Sequence, residues 1–225
     1  MKSLRPISVF AVAVIAALAG WGAFSSARKA LRIQRLERER NELIEHIQRL
    51  SASRRVAQAR VLEQYVDGQG RRISRLLWQE IRPDGIIGLP VEVKVVGEIA
   101  YFEALIIKFD HGLVGLGDPE RGVSLAMFRR IFGDEQAPES VALFDRAGPV
   151  YAAPLSRREN NAAIWDRFWE LIEDPELAAA YGVRVAQIEA PAVPLRQGQI
   201  WKVTLDAAGG LNVKLAEPSP AGSPH

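Results

Sequence analysis

Cysteine is absent from the 225 residues, and histidine (3) and methionine (2) are scarce. Without cysteine there can be no disulfide framework, no thiolate catalysis and no Cys-based zinc or iron–sulfur site. The compartment stays open, because envelope and cytosolic proteins alike can lack the residue. The only imidazoles are His46, His111 and His225, in three separate regions, which argues against a His-ligated metal centre. No large charge of one sign is present either: the formal net charge is +2. What remains is ordinary, with 48% apolar and 25% charged residues, so a core of normal size is available and no collagenous or wholly disordered bias appears. The length suits one domain with appendages, or two small domains.

The small net charge hides an asymmetry. Between Arg28 and Arg60 ten basic residues face four glutamates, whereas from Arg71 to Glu217 there are 17 basic against 21 acidic residues. A partner that prefers positive charge would therefore meet the first region. No aromatic residue interleaves with these arginines before Tyr65, which argues against nucleic acid as that partner.

After a short tail, residues 1–6, Ile7–Phe24 reads ISVFAVAVIAALAGWGAF with no charge. At helical rise it spans about 27 Å, and Ser25–Ala27 extends it to about 30 Å, enough for a bilayer core. Lys2 and Arg5 precede it, Arg28 and Lys29 follow, and Trp21 and Phe24 sit where aromatic residues favour the interface. Residues 7–27 are therefore expected to be a transmembrane anchor in contact with the lipid bilayer. The competing reading is a cleaved secretory signal, since Ala17-Leu18-Ala19 and Ser25-Ser26-Ala27 both fit a cleavage site. The basic run and helical pattern that follow at once favour the anchor. Orientation divides the evidence. A literal count of flanking positive charge puts the domain in the cytoplasm, while the very short basic N-tail looks like a signal-anchor, with the domain exported. The second reading is preferred.

From Ala27 to Val66 there is neither Pro nor Gly. Ile33, Leu36, Leu43, Ile47, Leu50, Ala57 and Val61 recur on alternating three- and four-residue steps, with Arg40 and Arg54 interrupting. With Ile33 as a and Leu36 as d, the pattern predicts a coiled-coil stalk over residues 28–66, whose interface is Ile33, Leu36, Leu43, Ile47, Leu50 and Val61. Ile or Val at a with Leu at d favours a parallel two-stranded pair. Self- or hetero-association through this stalk is the expected partner interaction. The alternative is an amphipathic helix that packs on its own domain or stands alone.

Residues 71–217 read as an α+β domain, mainly antiparallel strands with one or two packed helices. Asp67-Gly68-Gln69-Gly70 is a turn or hinge, and Arg82-Pro83-Asp84-Gly85 is another turn. Strands are expected at Ile73–Ile81, Val91–Val96 and Ile99–Phe109, with a tight hairpin at Gly97-Glu98. Ile99–Phe109 is apolar on both faces, as a central strand should be. Weaker strand patterns lie at Leu125–Phe132 and Val141–Phe144. Ser156-Arg157-Arg158-Glu159 matches a capping box, and Trp165, Phe168, Trp169 and Ile172 form one helical stripe. Asp174-Pro175 opens a second short helix, and Gly182 closes it. Gln199–Leu205 and Leu211–Leu215 make a terminal hairpin, and residues 218–225 are a disordered tail.

Chemistry is thinly represented. Gly122-Val123-Ser124-Leu125-Ala126 approaches a nucleophile elbow, but its closing Gly is Ala and the only later histidine is His225. Asp110-His111 are neighbours on opposite faces of an extended chain. The loop HGLVGLGDPERG lacks the Lys-Ser/Thr of a phosphate loop, and Asp118 and Glu120 would repel a phosphate. No Asp-x-Asp-x-Asp-Gly calcium spacing occurs. Glu103 stands out because it shares a strand face with Ile99, Tyr101, Leu105, Ile107 and Phe109, where a carboxylate must be paired, protonated or part of a site. An ion pair with an arginine ranks first among those readings, then exposure, then a catalytic acid. Glu103, Asp110 and Asp118 are thus the candidate catalytic residues. No cofactor or metal is expected.

The layout of short N-tail, one apolar segment, leucine-bearing helix and β-rich domain resembles bacterial cell-division and cell-shape coiled-coil proteins. The resemblance covers about the first 65 residues and brings no functional residue with it. It implies a non-enzymatic scaffold or interaction module of the bacterial cell envelope. A membrane-anchored enzyme with a carboxylate site, or a small-ligand sensor domain, are the alternatives.

Overall fold

A computed structural model describes residues 6–81, 87–144 and 162–216, without the side chains of 6–20, 22–27, 30, 162 and 163. Two compact units are distinguished, Met1–His46 and Ile47–His225.

Helix α1 runs from Pro6 to Ser51. Its second half is rich in Arg, Glu, Leu and Gln, all good helix formers, and Arg35 pairs with Glu39 one turn on at 2.8 Å. Along it Ile33, Leu36, Leu43 and Ile47 are all exposed. The apolar segment 7–27 lies within this helix, and apart from Trp21 its side chains lie outside the described residues. Among the described residues no helix is long and apolar enough to cross a membrane.

The helix does not continue to Val66. Ser53–Val66 is strand β1, followed by β2 (Arg72–Glu80), β3 (Val91–Val96) and β4 (Ile99–Phe109). The short helix α2 (His111–Leu116) leads to β5 (Leu125–Gly133). Helices α3 (Ala162–Asp166), α4 (Phe168–Glu173) and α5 (Pro175–Ala180) come next. Strands β6 (Val183–Glu189), β7 (Ala192–Pro194), β8 (Ile200–Asp206) and β9 (Leu211–Leu215) complete the α+β fold. All strand pairs are antiparallel, in two sheets ordered β3-β2-β1-β8-β9 and β5-β4-β6, with β7 also on β4.

The sequence places β1 in the stalk because Ala57 and Val61 are four apart, a spacing that fits both a heptad and a strand. Ala59, also buried, decides for period two. It is opposite Trp78 on β2 and Trp201 on β8, so a small side chain leaves room for two indoles. Pairing on both edges outweighs the modest helix preference of Ala, Gln and Arg. Val61 is therefore a core residue, not a stalk contact. Leu50 packs against the domain's second apolar cluster, so it too leaves the proposed interface, and the β domain begins at Ser53 rather than at Arg71.

Strand β4 divides the domain into layers. Its Ala100, Phe102, Ala104 and Ile106 join Trp78, Trp201, Val203 and other residues of the five-stranded sheet in one core. Its Leu105, Ile107 and Phe109 face Val114, Ile164, Phe168 and Leu171 of the helices in another. The order is sheet, sheet, helices.

The hairpin expected at Gly97-Glu98 does not form, since β3 and β4 belong to different sheets. Gly97 instead turns the chain between them at φ 116°. The corner is held by Gln136, whose Oε1 accepts from Val96 N at 2.9 Å and Gly133 N at 2.7 Å. Val141–Phe144 is irregular rather than a strand. The helical stripe breaks at Arg167, and Trp169 is exposed while Ile164, Phe168 and Leu171 are buried. Strands β6 and β7 were not expected. The turn at Asp67, the Asp174 cap and the β8–β9 hairpin form as the sequence suggests. Asp174 Oδ1 accepts from Glu176 N and Leu177 N at 2.9 and 3.0 Å. The turn at Arg82-Pro83-Asp84-Gly85, the Ser156–Glu159 box and the tail 218–225 lie outside the described residues.

Val61→Asp separates the two placements of residue 61. In the core it buries an unpaired carboxylate and should destabilise the domain by more than about 3 kcal/mol, read as loss of the near-ultraviolet dichroism of the folded aromatic core. A folded domain that merely fails to associate would return Val61 to the stalk.

Candidate functional site

The three carboxylates singled out in the sequence do not converge. Asp110 follows the end of β4, seven residues beyond Glu103, and extended chain of that length spans about 23 Å. Asp110 caps α2, its Oδ1 accepting from Gly112 N at 2.7 Å. Asp118 organises the following turn, accepting from Glu120 N at 3.0 Å and Arg121 N at 2.8 Å. The Arg121 side chain also bonds it at 2.9 Å, and this is the largest influence holding the Asp118 carboxyl below the usual carboxylate range. Ser124 is buried, and its hydroxyl donates to Ala207 O at 2.8 Å. Each of these groups is occupied with holding the fold.

Glu103 is only 6% exposed. Arg130 Nε donates to its Oε1 at 2.9 Å, and Arg129 Nη1 lies 3.6 Å from the same atom. Two successive residues of a regular strand point to opposite faces. Here the register slips: Glu103 is opposite Arg130 and Ala104 opposite Phe128, leaving Arg129 as the extra residue of a β-bulge. The bulge brings both guanidiniums to one carboxylate. An arginine ion pair was the first-ranked reading of Glu103, and the geometry agrees.

Another acid was missed. Leu76, Trp78 and Glu80 alternate along β2, so Glu80 continues the core-facing row. The argument that picks out Glu103, a carboxylate on an apolar face, applies equally to it. Glu80 borders a cavity of about 360 Å³. Trp78 and Glu80 form one side, Val91–Lys94 of β3 another, and Val141–Phe144 the third. The Phe144 ring stacks on Trp78 with centroids 6.1 Å apart and planes 15° from parallel. The Trp78 indole N–H is buried without a hydrogen-bond partner among the described residues. Burial pushes the Glu80 carboxyl up from 4.5 to about 7, against a smaller lowering by the nearby indole, which does not meet hydrogen-bond geometry. Among the described residues, this acid at the edge of an apolar cavity, its pKa raised to about 7, has the character of a site.

A third carboxylate, Glu189, ties the two sheets together. Burial would raise its pKa, but Lys108, Leu211 N and Gln187 donate to it and hold it low. Among the described residues no group of three acidic, histidine or cysteine side chains could hold a metal ion.

These features define an α+β protein of two antiparallel sheets with helices over one of them. Compared with known proteins, the chain matches no family model, no curated protein and no solved structure.

Glu80 makes stability depend on pH with a definite sign. Its folded pKa lies above its ordinary value, so the folded state holds a proton that the unfolded chain releases. That contribution is full below about 4.5 and is lost as the pH rises through about 7. Between pH 5 and 8 the wild type should lose on the order of 2 kcal/mol relative to Glu80→Gln. Urea midpoints of both proteins at the two pH values check this; parallel pH profiles would show that Glu80 is well solvated.

Proposed function

We propose that the protein is a non-enzymatic, single-pass membrane-anchored scaffold or interaction module of the cell envelope, with its β domain outside the cytoplasm. The observation that carries the proposal is the exposed row Ile33, Leu36, Leu43 and Ile47 on α1, just after the uncharged stretch Ile7–Phe24. Large apolar side chains at heptad spacing on an exposed helix favour a second helix as partner. With Leu50 and Val61 assigned to the domain, the seam is about two heptads long. So short a coiled coil is marginal in free solution, but tethering in a membrane raises the effective concentration of one chain for another. The partner proposed for the seam is a second copy of the chain in parallel register. The enzyme alternative is weakened by the separate structural roles of Glu103, Asp110 and Asp118.

The cysteine-free sequence permits clean tests. Leu36→Cys and Leu43→Cys are expected to form interchain disulfides in membranes under mild oxidation, while Arg38→Cys, on the opposite face at f, should not. Equal yields at all three positions, or none, would reject the parallel seam.

Sidedness is tested with Ser140→Cys, an exposed position of the domain. A membrane-impermeant maleimide should label it in intact cells or spheroplasts. Protection until lysis would place the domain in the cytoplasm and make an adaptor beside the inner leaflet the better reading.

A further inference from the structure

We propose that the cavity between β3 and residues 141–144 binds a small organic monocation, an ammonium group on an apolar body about the size of a phenylalkyl chain, with Glu80 as its counter-ion. The inference does not depend on how the chain is anchored.

The volume, about 360 Å³, lies within the usual range for small-molecule pockets, roughly 300–1,000 Å³. Most of the wall is apolar: Val91, Val93, Val141, Leu143 and the stacked rings of Trp78 and Phe144. Such a wall selects a ligand with an apolar body. The polar end is selected by what the wall lacks. A carboxylate removed from water needs donors on its oxygens. Among the described residues the side-chain donor that influences it is the Trp78 indole N–H, itself buried and outside hydrogen-bond geometry. An ammonium supplies up to three donors and the opposite charge.

Charge on the other sides of the cavity agrees. Strand β3 contributes Lys94 and Glu92, the latter paired with Arg75 of β2 at 2.7 Å, and Val141–Phe144 contributes no charged side chain. Opposite Glu80 on β1 stands Ala57. Among the described residues the formal net charge of the lining equals that of Glu80. A carboxylate ligand would meet this acid unfavourably, and a neutral one would leave it without a counter-ion.

Burial holds Glu80 protonated below neutrality, so ligand binding and proton release are linked. Affinity for an ammonium therefore rises with pH through about 7 and levels off above it.

The probes are 2-phenylethylammonium and 3-phenylpropylammonium, added to the full-length ¹⁵N-labelled protein in one detergent. The readout is the Trp78 indole N–H resonance, assigned with Trp78→Phe. At pH 8 at least one probe should shift it saturably. At pH 5.5, or in Glu80→Gln at pH 8, affinity should fall about tenfold or more. Ala142→Trp, which adds bulk to the cavity lining and leaves Glu80 in place, should abolish the shift. The neutral isostere 2-phenylethanol should bind at least about tenfold more weakly than the amine. Equal affinity for the alcohol, full affinity in Glu80→Gln, or no saturable shift by either amine up to about 10 mM would each overturn the proposal. Preserved dispersion of the backbone amide resonances in both variants shows that a lost shift reports binding rather than unfolding.

Discussion

Strand β4 buries both of its faces, and that demand arranges the rest of the domain. Phe102 and Ile106 are buried on one side and Leu105, Ile107 and Phe109 on the other. Each large apolar side chain removed from water contributes about 1.5–3 kcal/mol, so neither face can be left to solvent. The five-stranded sheet covers one face and the helices cover the other. A two-layer sandwich would have exposed half of the strand. Close approach of the sheets has its own requirements. Ala57 and Ala59 give way to large neighbours on the adjacent strands, and Gly97 and Gly133 turn and admit the backbone where the chain passes between sheets. A Cβ on Gly133 would stand 1.9 Å from Val96 O.

Two carboxylates experience this arrangement differently. Glu103 lies where a bulge in β5 directs two arginines at it, and its charge is matched inside the protein. Glu80 lies at the end of the core row of β2, beside a cavity and an indole that does not quite reach it. The first is a fixed part of the fold. The second has its pKa raised by burial to about 7, so a change of pH near neutrality alters its charge. Exposed apolar residues on α1 lie apart in sequence from Glu80, so the proposed association and the proposed ligand recognition rest on different parts of the chain.

Local features were legible before the structure. Asp174-Pro175 caps a helix because the carboxylate and the N–H groups it serves are within three residues of one another. The turn after Asp67 forms for the same reason, with Asp67 accepting from Gln69 and Arg71 N–H groups. The central position of β4 could be read from its apolar residues on both faces. Glu103 could be picked out by its row, though not its two partners, because the bulge that gathers them is a matter of register between strands. Glu80 sits in an equivalent row and was overlooked.

Sequence alone determined the α+β character, a long N-terminal helix, the central strand, the Asp174 cap and the Asp67 turn, since each rests on hydrogen bonds or periodicity within a few residues. Tertiary structure decided where that helix stops. Residues 53–66 carry a spacing common to heptads and strands, and only pairing with β2 and β8 resolved it. It also decided that β3 and β4 part company at Gly97, and that Glu80 borders a cavity while Glu103 is paired. Those outcomes depend on which distant strand supplies the other half of each hydrogen bond and the other wall of each core. No local pattern contains that information.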